Sequence, residues 1–369
     1  MNDPYETPAA NRDEKKALIA MSGGVDSSMA AKLIQSKGFS CFGCTMRLYD
    51  DPSELSGTAG AKTCCSLRDV DDARRVCARL GIPHCVVDYR EEFKKEVIDR
   101  FTLAYERGCT PNPCIDCNNH LKFGTLFRKA EELGCRYIVT GHYARISEEA
   151  GIFRLKKALD LTKDQSYFLY GIPKERLSRI LFPLGDYTKP GIRELADEAG
   201  FVNAAKADSQ DICFVPDGDY SKVIREHTGK DYPEGDFVDE TGRPLGRHKG
   251  IICYTVGQRR GLGISGPEPY YVTGILPEEN RVVLGTNESL FRRDLFVGKM
   301  NWLTDSIPGS DFTCSVRIRY RHKEQPARVI PVSENGIRVE FEDPQRAITK
   351  GQSAVLYDGD YVLGGGIIS

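Results

Sequence analysis

The 369-residue sequence has no long apolar run and almost no net charge, and both shortages limit what the chain can be. No segment approaches the roughly 18 consecutive apolar residues that a membrane-spanning helix needs, so we expect no membrane partner. The first sixteen residues are polar and contain four acids, which predicts neither a signal peptide nor a mitochondrial presequence and favours the cytoplasm. With a formal charge of -2, any surface that attracts RNA must be local.

The chain has thirteen cysteines. In a cytoplasmic protein they do not form a disulfide framework, because that compartment keeps structural thiols reduced. We therefore expect them to be buried, catalytic or metal-bound. The length predicts two or three domains with separate cores.

Between residues 17 and 144, apolar runs alternate with helical patterns, which is typical of a doubly wound α/β domain with a parallel sheet. The predicted strands are Ala17–Met21, Cys41–Leu48, Cys85–Tyr89 and Tyr137–Thr140. Helical spacing predicts helices from Val25 to Gly38, from Val70 to Leu80 and from Leu121 to Leu133.

The later sequence predicts two further domains. We expect a disordered tail over residues 1–16, the α/β domain over 17–154 with an extension to about 215, a small mixed or helical domain over 155–250, and a β-barrel over 251–369. Short alternating strands predict the barrel, and the clearest hairpin covers residues 354–363 with its turn at Asp358-Gly359.

A pair of glycines follows the first predicted strand, in Ser22-Gly23-Gly24-Val25-Asp26-Ser27-Ser28. Two glycines before a helix let the backbone N–H groups turn inward, and the helix N-terminus adds positive charge, so the loop predicts an anion site. The string lacks the Gly-Lys-Ser/Thr ending of the other common phosphate loop. Asp26 suits either Mg²⁺ or a helix cap. The full string resembles the loop of the PP-loop ATP pyrophosphatases (adenine nucleotide alpha hydrolase-like), which implies cleavage of ATP to AMP and pyrophosphate.

Cys114 and Cys117 lie in a segment with two prolines and two asparagines, which favours a rigid loop over a helix. Alone, this Cys-x-x-Cys pair is equally compatible with zinc, redox chemistry and chance. Cys41 and Cys44 have the same spacing, but on a predicted strand they point to opposite faces, so we reject a four-cysteine zinc site. The cysteines without such spacing are predicted to be small buried residues.

Three strings together resemble the bacterial tRNA-specific 2-thiouridylases (MnmA/TrmU family): the glycine loop, Asn-Pro-x-x-x-Cys-Asn at residues 112–118 and Asp-Ile-Cys-Phe-Val at 211–215. The resemblance covers nearly the whole chain. Supporting strings lie at residues 140–145, 163–167, 254–261 and 344–347.

The resemblance implies ATP-dependent 2-thiolation of the wobble uridine of tRNA through an adenylated intermediate. Asp26 and the two cysteines would be catalytic: Cys213 would carry a persulfide sulfur and Cys117 would react with that persulfide, so the pair could end the cycle as a disulfide. The implied partners are tRNA and either a sulfur-donor protein (a sulfur relay or cysteine desulfurase) or inorganic sulfide. The implied ATP contacts are Ala20, Met21, Ser22, Gly23, Gly24, Val25, Asp26, Ser27, Ser28, Met46 and Gly141, with Mg²⁺. The implied tRNA contacts are Asn112, Pro113, Cys114, Lys163, Asp164, Gln165, Arg319 and Tyr320.

One position departs from the family pattern, because many members have Asp where this chain has Cys114. A third thiolate would allow Cys114, Cys117 and Cys213 to bind three irons of a [4Fe-4S] cluster whose fourth iron accepts hydrosulfide. The alternatives are the persulfide route and an unliganded Cys114. Both sulfur routes use Cys117 and Cys213.

Arg317, Arg319 and Arg321 alternate with apolar residues, which predicts a basic stripe on one face of a strand. Such a local patch suits contacts to the phosphate backbone of RNA, although a solvated charged face is the alternative.

Two rival functions stay open at this point. One is a small-molecule PP-loop synthetase that forms an amide or amidine through an adenylate, and the other is a non-catalytic protein that binds RNA or stores metal.

Overall fold

The structure is a computed structural model that describes residues 15–49, 67–204, 206, 212–215 and 217–369. It divides into two compact units, the first formed by residues 1–97, 114–217 and 360–362 and the second by residues 98–113, 218–359 and 363–369. The predicted tail lies outside the described residues apart from its last two positions. None of the described helices is long and apolar enough to cross a membrane.

The described α-helices are α1 Val25–Ser36, α2 Leu67–Leu80, α3 Arg90–Phe93, α4 Asp99–Glu106, α5 Pro113–Asp116, α6 Leu126–Glu132, α7 Lys189–Glu198 and α8 Tyr220–Thr228. Two π-helical segments cover Lys94–Ile98 and Cys117–Thr125. The described strands are β1 Lys16–Ala20, β2 Ser40–Arg47, β3 His84–Asp88, β4 Tyr137–Val139, β5 Arg145–Glu149, β6 Ile152–Lys156, β7 Ile180–Leu181, β8 Gly235–Asp239, β9 Pro244–His248, β10 Tyr271–Leu276, β11 Arg281–Gly285, β12 Phe291–Trp302, β13 Phe312–Arg317, β14 Gln325–Ser333, β15 Gly336–Arg346, β16 Ser353–Asp358 and β17 Tyr361–Ile368.

The first unit contains a five-stranded parallel sheet in the order β3-β2-β1-β4-β7. The central strand β1 is a run of apolar residues, and Ala17, Leu18 and Ile19 are fully buried, as expected for a parallel strand covered on both faces. The strand order reverses beside β1, where β4 is its neighbour. Open α/β sheets bind ligands at this switch point, beyond the carboxyl ends of the strands. The predicted doubly wound fold is confirmed.

Helices of the first unit bury the faces that their sequences predict. In α1, Met29, Ala30 and Ile34 are fully buried, and the helix stops before Gly38, whose φ of 80° suits glycine. The helix predicted between Leu121 and Leu133 differs in form, because it consists of the π-helix Cys117–Thr125 followed by α6. The i+3/i+4 pattern alone does not separate π-helical from α-helical turns.

The second unit contains two sheets with separate cores. One has the order β10-β11-β8-β9 and encloses Phe237, Val272 and Val282. The other runs β12-β15-β14-β13-β16-β17, and a further pairing of β12 with β17 closes the six strands into the predicted barrel. The hairpin predicted at residues 354–363 is confirmed as β16 and β17, which turn after Asp358.

The predicted basic stripe is wrong. Strand β13 ends at Arg317, and Arg319 and Arg321 lie in the following turn instead of on one face of a strand. The antiparallel pairing of β13 with β14, which brings Val316 opposite Gln325, leaves eight residues to reverse the chain. Alternation of charged and apolar residues in a short turn has the same appearance as alternation in a strand.

Candidate active site

The predicted phosphate loop joins β1 to α1 at the switch point of the parallel sheet. Gly23 has a φ of 72°, which other residues adopt at a cost. A Cβ at this position would also lie 2.8 Å from the Cα of Asp69, against the backbone of α2. Both the conformation and the close packing therefore require glycine at position 23.

The serines of the loop hold its shape through hydrogen bonds. The Ser27 hydroxyl accepts from the Ser22 N–H at 3.2 Å and donates to the Gly24 carbonyl at 3.0 Å. The Ser28 hydroxyl donates to the same carbonyl at 3.0 Å. The loop thus reaches the N-terminus of a twelve-residue helix in a fixed conformation, and such a terminus attracts phosphate.

Gly141 lies directly against this loop. It follows β4, and a Cβ there would lie 2.7 Å from the carbonyl carbon of Asp26 and 2.8 Å from the Ser27 nitrogen. Met46 is the penultimate residue of β2, at the same edge of the sheet. The structure therefore brings Gly141 to the loop and places Met46 at the end of a neighbouring strand.

The loop carboxylate Asp26 is bound by two groups from later in the chain. The Lys189 ammonium donates to both Asp26 oxygens, at 2.7 and 2.8 Å, and the Tyr143 hydroxyl donates to Oδ1 at 3.0 Å. Lys189 is only 6% exposed and is the first residue of α7, where Thr188 caps the helix by accepting from the Gly191 N–H. Sequence reasoning missed Lys189, because 163 residues separate it from Asp26.

A second set of contacts ties the loop carbonyl of Gly23 to residues 203 and 206. Asn203 Nδ2 donates to it at 2.9 Å, and Lys206 Nζ donates to it at 3.2 Å. Lys206 also binds Asp69 at 2.5 Å and Asp72 at 2.8 Å. Burial alone would lower the pKa of Lys206, but the hydrogen bonds to these two carboxylates outweigh it and raise the pKa above its usual value. Lys206 therefore stays charged.

His142, beside Gly141, is a neutral residue of the site. Its Nδ1 lies 2.7 Å from the Thr140 hydroxyl, and its Nε2 lies 3.5 Å from the Lys122 ammonium. Burial, followed by the positive charge of Lys122, lowers the pKa of His142 well below its usual value. The positive charges beside the loop therefore come from lysines.

The two predicted sulfur-handling cysteines also lie in the first unit. Cys117 begins the π-helix and is half-buried, while Cys114 on α5 is exposed. The next residue, Asn118, is 2% exposed and donates through Nδ2 to the Phe168 carbonyl at 3.1 Å, which anchors the start of the π-helix. Cys117 is thus accessible on an anchored segment.

Cys213 is half-buried and is held through its backbone. Its carbonyl accepts from the Tyr49 hydroxyl at 2.7 Å, and the neighbouring Phe214 packs edge-on against Phe93 with ring centroids 5.7 Å apart. Tyr49 and Phe93 are also in ring contact, at 5.8 Å. These aromatic contacts position the backbone of Cys213, a half-buried residue.

No disulfide links any of the eleven described cysteines. Within the described ranges, no group of three or more His, Cys, Asp or Glu side chains is placed to hold a metal ion. The ligand set Cys114, Cys117 and Cys213 is therefore not assembled in this structure.

The cysteines of the parallel sheet have a different environment. Burial, which is the largest contribution, raises the pKa of Cys41 to about 12 and that of Cys77 to about 11, and it raises the pKa of Cys44 further. Cys41 packs in the core beside α1, whereas Cys44 lies opposite Cys85 on β3. Cys41 and Cys44 do not form a joint site. Among the described cysteines that were predicted to be small buried residues, Cys77 and Cys135 are buried, whereas Cys85, Cys253 and Cys314 are half-buried. Cys64 and Cys65 lie outside the described residues.

Three family models of known domains match the chain in succession. They are a tRNA methyl transferase HUP domain over residues 15–217, a tRNA methyl transferase PRC-barrel domain over 221–286 and an aminomethyltransferase β-barrel domain over 292–368. The predicted divisions near residues 154 and 250 stay predictions.

Curated relatives match the chain over almost its whole length. The tRNA-specific 2-thiouridylase MnmA of Clostridioides difficile is 48% identical over 96% of this chain and 98% of its own length. The enzyme of the same name from Carboxydothermus hydrogenoformans is also 48% identical, over 96% of this chain and 97% of its own. This chain belongs to the MnmA family of tRNA-specific 2-thiouridylases.

A solved complex of a 4-thiouridine synthetase with RNA and ATP aligns with a TM-score of only 0.35, at 20% identity over 58% of this chain and 50% of that one. This similarity is too low to support a conclusion about function.

Asp164, one of the implied tRNA contacts, is buried. It is 3% exposed, and its carboxylate accepts from the Ala158 N–H at 3.1 Å and from the Ser166 hydroxyl at 2.8 Å. The carboxylate thus organises its own loop, and its contact with tRNA stays a prediction. Its neighbours are more accessible: Lys163 is half-buried, and Gln165 accepts from the Tyr143 N–H at 2.9 Å.

The MnmA string that contains Asn112 and Pro113 begins in the second unit. There the Thr110 N–H donates to the Lys350 carbonyl at 2.8 Å, and Gln352 Nε2 donates to the Thr110 carbonyl at 2.8 Å. The segment just before Asn112 is therefore attached to the loop between β15 and β16.

The turn that carries Arg319 and Tyr320 is supported by another MnmA string, at residues 344–347. Arg319 donates to the Arg346 carbonyl at 3.0 Å, and His322 Nε2 lies 3.1 Å from Gln345 Oε1. Arg319 and Tyr320 are both half-buried. The 344–347 string thus holds a turn in shape, a role that sequence reasoning did not assign to it.

Proposed function

We propose that the chain replaces the 2-oxygen of the wobble uridine of tRNA with sulfur, at the expense of ATP. One observation carries this proposal: a phosphate loop whose shape is set by Gly23 and Gly141 belongs to the same compact unit as two accessible cysteines, Cys117 and Cys213. The relatives that match 96% of the chain are named for the same reaction.

ATP would activate the uridine. A carbonyl oxygen is a poor leaving group, but adenylation converts it into AMP, which a sulfur nucleophile can displace. We assign ATP binding to residues 20–28, Met46 and Gly141. Asp26 is assigned to catalysis and to the Mg²⁺ that accompanies ATP, because its carboxylate lies at the loop.

Sulfur would arrive as a persulfide on Cys213. The terminal sulfur attacks C2 of the activated uridine and AMP leaves. The Cys117 thiolate then attacks Cys213 Sγ, which releases 2-thiouridine and forms a Cys117–Cys213 disulfide. A cellular thiol reduces this disulfide, and a sulfur-donor protein that carries a persulfide transfers its outer sulfur to Cys213. Inorganic sulfide would reload Cys213 by a different step: it attacks Cys213 Sγ in the Cys117–Cys213 disulfide, which leaves a persulfide on Cys213 and a thiol on Cys117.

A [4Fe-4S] route is the alternative and stays a prediction. It requires Cys114 as a third ligand beside Cys117 and Cys213, and the described side chains do not gather this set. The persulfide route requires only the two cysteines that are common to both mechanisms. We therefore propose the persulfide route.

We assign the tRNA contacts to two groups of residues. Asn112, Pro113 and Cys114 border the target base, because they immediately precede Cys117 in the chain. Lys163, Gln165, Arg319 and Tyr320 contact the rest of the tRNA. A cytoplasmic location also stays a prediction.

Nucleoside mass spectrometry tests the function directly. Unmodified tRNA with uridine at the wobble position is incubated with the protein, ATP, Mg²⁺ and a persulfide donor (a cysteine desulfurase with cysteine), and a transcript with cytidine at that position is the control. We expect 2-thiouridine only in the first transcript and pyrophosphate release that depends on tRNA. Pyrophosphate release that ignores tRNA would favour a small-molecule synthetase instead.

Iron and sulfide analysis of anaerobically purified protein separates the two sulfur routes. We expect iron-free protein to thiolate tRNA and Cys114→Ala to remain active. If activity follows the iron content and is lost in Cys114→Ala, the cluster route is correct.

A further inference from the structure

Among the residues that the structure describes, Lys189 is the one buried lysine at the phosphate loop, and the proposed reaction does not yet give it a role. Its ammonium lies 2.7 and 2.8 Å from the two oxygens of Asp26, and its side chain is 8% exposed. Lysine is rarely this buried unless it is paired or has a function. The position of its partner decides which applies.

Asp26 lies within the anion-binding loop, at the second residue of α1. A carboxylate at this point repels an incoming polyphosphate, whereas the backbone N–H groups and the helix terminus attract it. The Lys189 ammonium cancels the carboxylate charge. It also lies within about one hydrogen-bond length of the first turn of α1, where a bound phosphate would sit.

Lys206 provides an internal comparison, since it also reaches the loop. Its ammonium binds two carboxylates of α2, Asp69 and Asp72, together with the Gly23 carbonyl. A cation held by two carboxylates outside the loop braces the loop against α2. Lys189 instead binds the carboxylate that belongs to the loop, so an anion in the loop competes with Asp26 for the same ammonium.

We propose that Lys189 contacts the phosphates of ATP, shifting from Asp26 to the α-phosphate and stabilising the charge that develops as the uridine oxygen bonds to phosphorus and pyrophosphate leaves. The proposal rests on the proposed function for its reaction but concerns nucleotide binding as well. It also explains how a loop without a Gly-Lys-Ser/Thr ending obtains a lysine: the cation comes from the start of α7.

The test compares ATP with adenosine, which has no phosphate. We expect Lys189→Met to weaken ATP binding about tenfold or more and leave adenosine binding unchanged, while tRNA-dependent pyrophosphate release slows about 100-fold. Lys189→Arg should recover part of the ATP affinity, because it keeps the charge. Lys37→Met, at the opposite end of α1, is the matched control and should behave as wild type.

A second background separates a phosphate contact from simple neutralisation of Asp26. In Asp26→Asn there is no carboxylate to neutralise, so a purely structural Lys189 would add nothing when it is replaced. We expect the double variant Asp26→Asn/Lys189→Met to lose a further tenfold in ATP affinity relative to Asp26→Asn. This background also avoids the unpaired carboxylate that could unfold the single variant.

Equal loss of ATP and adenosine binding, or no further loss in the Asp26→Asn background, would overturn the assignment of Lys189. Failure of the proposed function has a different signature: wild-type protein would bind ATP in a Lys189-dependent manner without producing 2-thiouridine.

Discussion

Cysteines of the first unit fall into two groups that differ in burial. Cys41, Cys44 and Cys77 are enclosed by the parallel sheet and its helices, and burial raises their pKa values. Cys117 and Cys213 are half-buried at the ends of short, anchored segments. Under the proposed function, the same side chain serves as a core residue in one place and as a sulfur nucleophile in the other, and the lower burial of Cys117 and Cys213 makes the difference.

Among the predicted changes, Cys213→Ser should cause the largest loss of thiolation activity. A serine hydroxyl does not carry a persulfide, so we expect 2-thiouridine formation to fall at least about 1,000-fold while ATP binding stays the same. Nucleoside mass spectrometry and ATP titration measure the two quantities. Cys44→Ser, from the buried group, is the control, and comparable thiolation losses in both variants would remove the distinction between the groups.

Cys117→Ser should also slow 2-thiouridine formation. We expect the rate over multiple turnovers to fall about 100-fold or more, because the partner thiolate is removed. Cys114→Ser should lose less than about threefold, since the persulfide route does not use this thiol. The ratio of the two thiolation rates is the measurement. A loss in Cys114→Ser as large as that in Cys117→Ser would contradict the persulfide route.

Alkylation rates should separate the two groups without mutation. Only the thiolate reacts, so at pH 7.5 a thiol of pKa about 12 is ionised to roughly one part in 30,000. We expect iodoacetamide to label Cys117 and Cys213 before Cys41, with peptide mass spectrometry as the readout. Because the raised pKa lies above the tested range, labelling of Cys41 should increase about tenfold per pH unit from 7.5 to 9. Early labelling of Cys41 in folded protein would show that the sheet does not protect it.

The smallest effect on activity is expected for Cys41→Ser. The Cys41 thiol donates to the Phe39 carbonyl at 3.5 Å within an apolar core, and a hydroxyl there is more costly to desolvate. We expect the free energy of unfolding to fall by about 1–2 kcal/mol with thiolation unchanged. Urea unfolding measures the first quantity, and a loss of thiolation in protein that is still folded would give Cys41 a role beyond packing.

The sequence predicted the parts of the fold that depend on local patterns. The four strands expected around β1 to β4 lie within one residue of their observed positions, because continuous apolar runs and flanking glycines are local signals. The glycine loop was predicted for the same reason, because its glycines are a local signal. The structure shows why these positions are glycine: Gly23 has a positive φ, and Gly141 packs too closely against the loop for a side chain.

Contacts between distant residues escaped prediction. Lys189 and Lys206 meet the loop only after the sheet has formed, and nothing in their own neighbourhoods marks them. The burial of Asp164 was not predicted, because a polar residue in a loop has no local sign of burial. The alternation around Arg319 was mistaken for a strand because a turn and a strand can share it.

The hydrogen bonds from Asn203 and Lys206 to the Gly23 carbonyl also limit how far sulfur can travel. Cys213 follows Lys206 by seven residues, and seven residues span at most about 25 Å even when fully extended. Cys213 therefore lies within about 25 Å of Lys206 and its contact with the nucleotide loop, and under the proposed function a sulfur donor would have to load it within that radius.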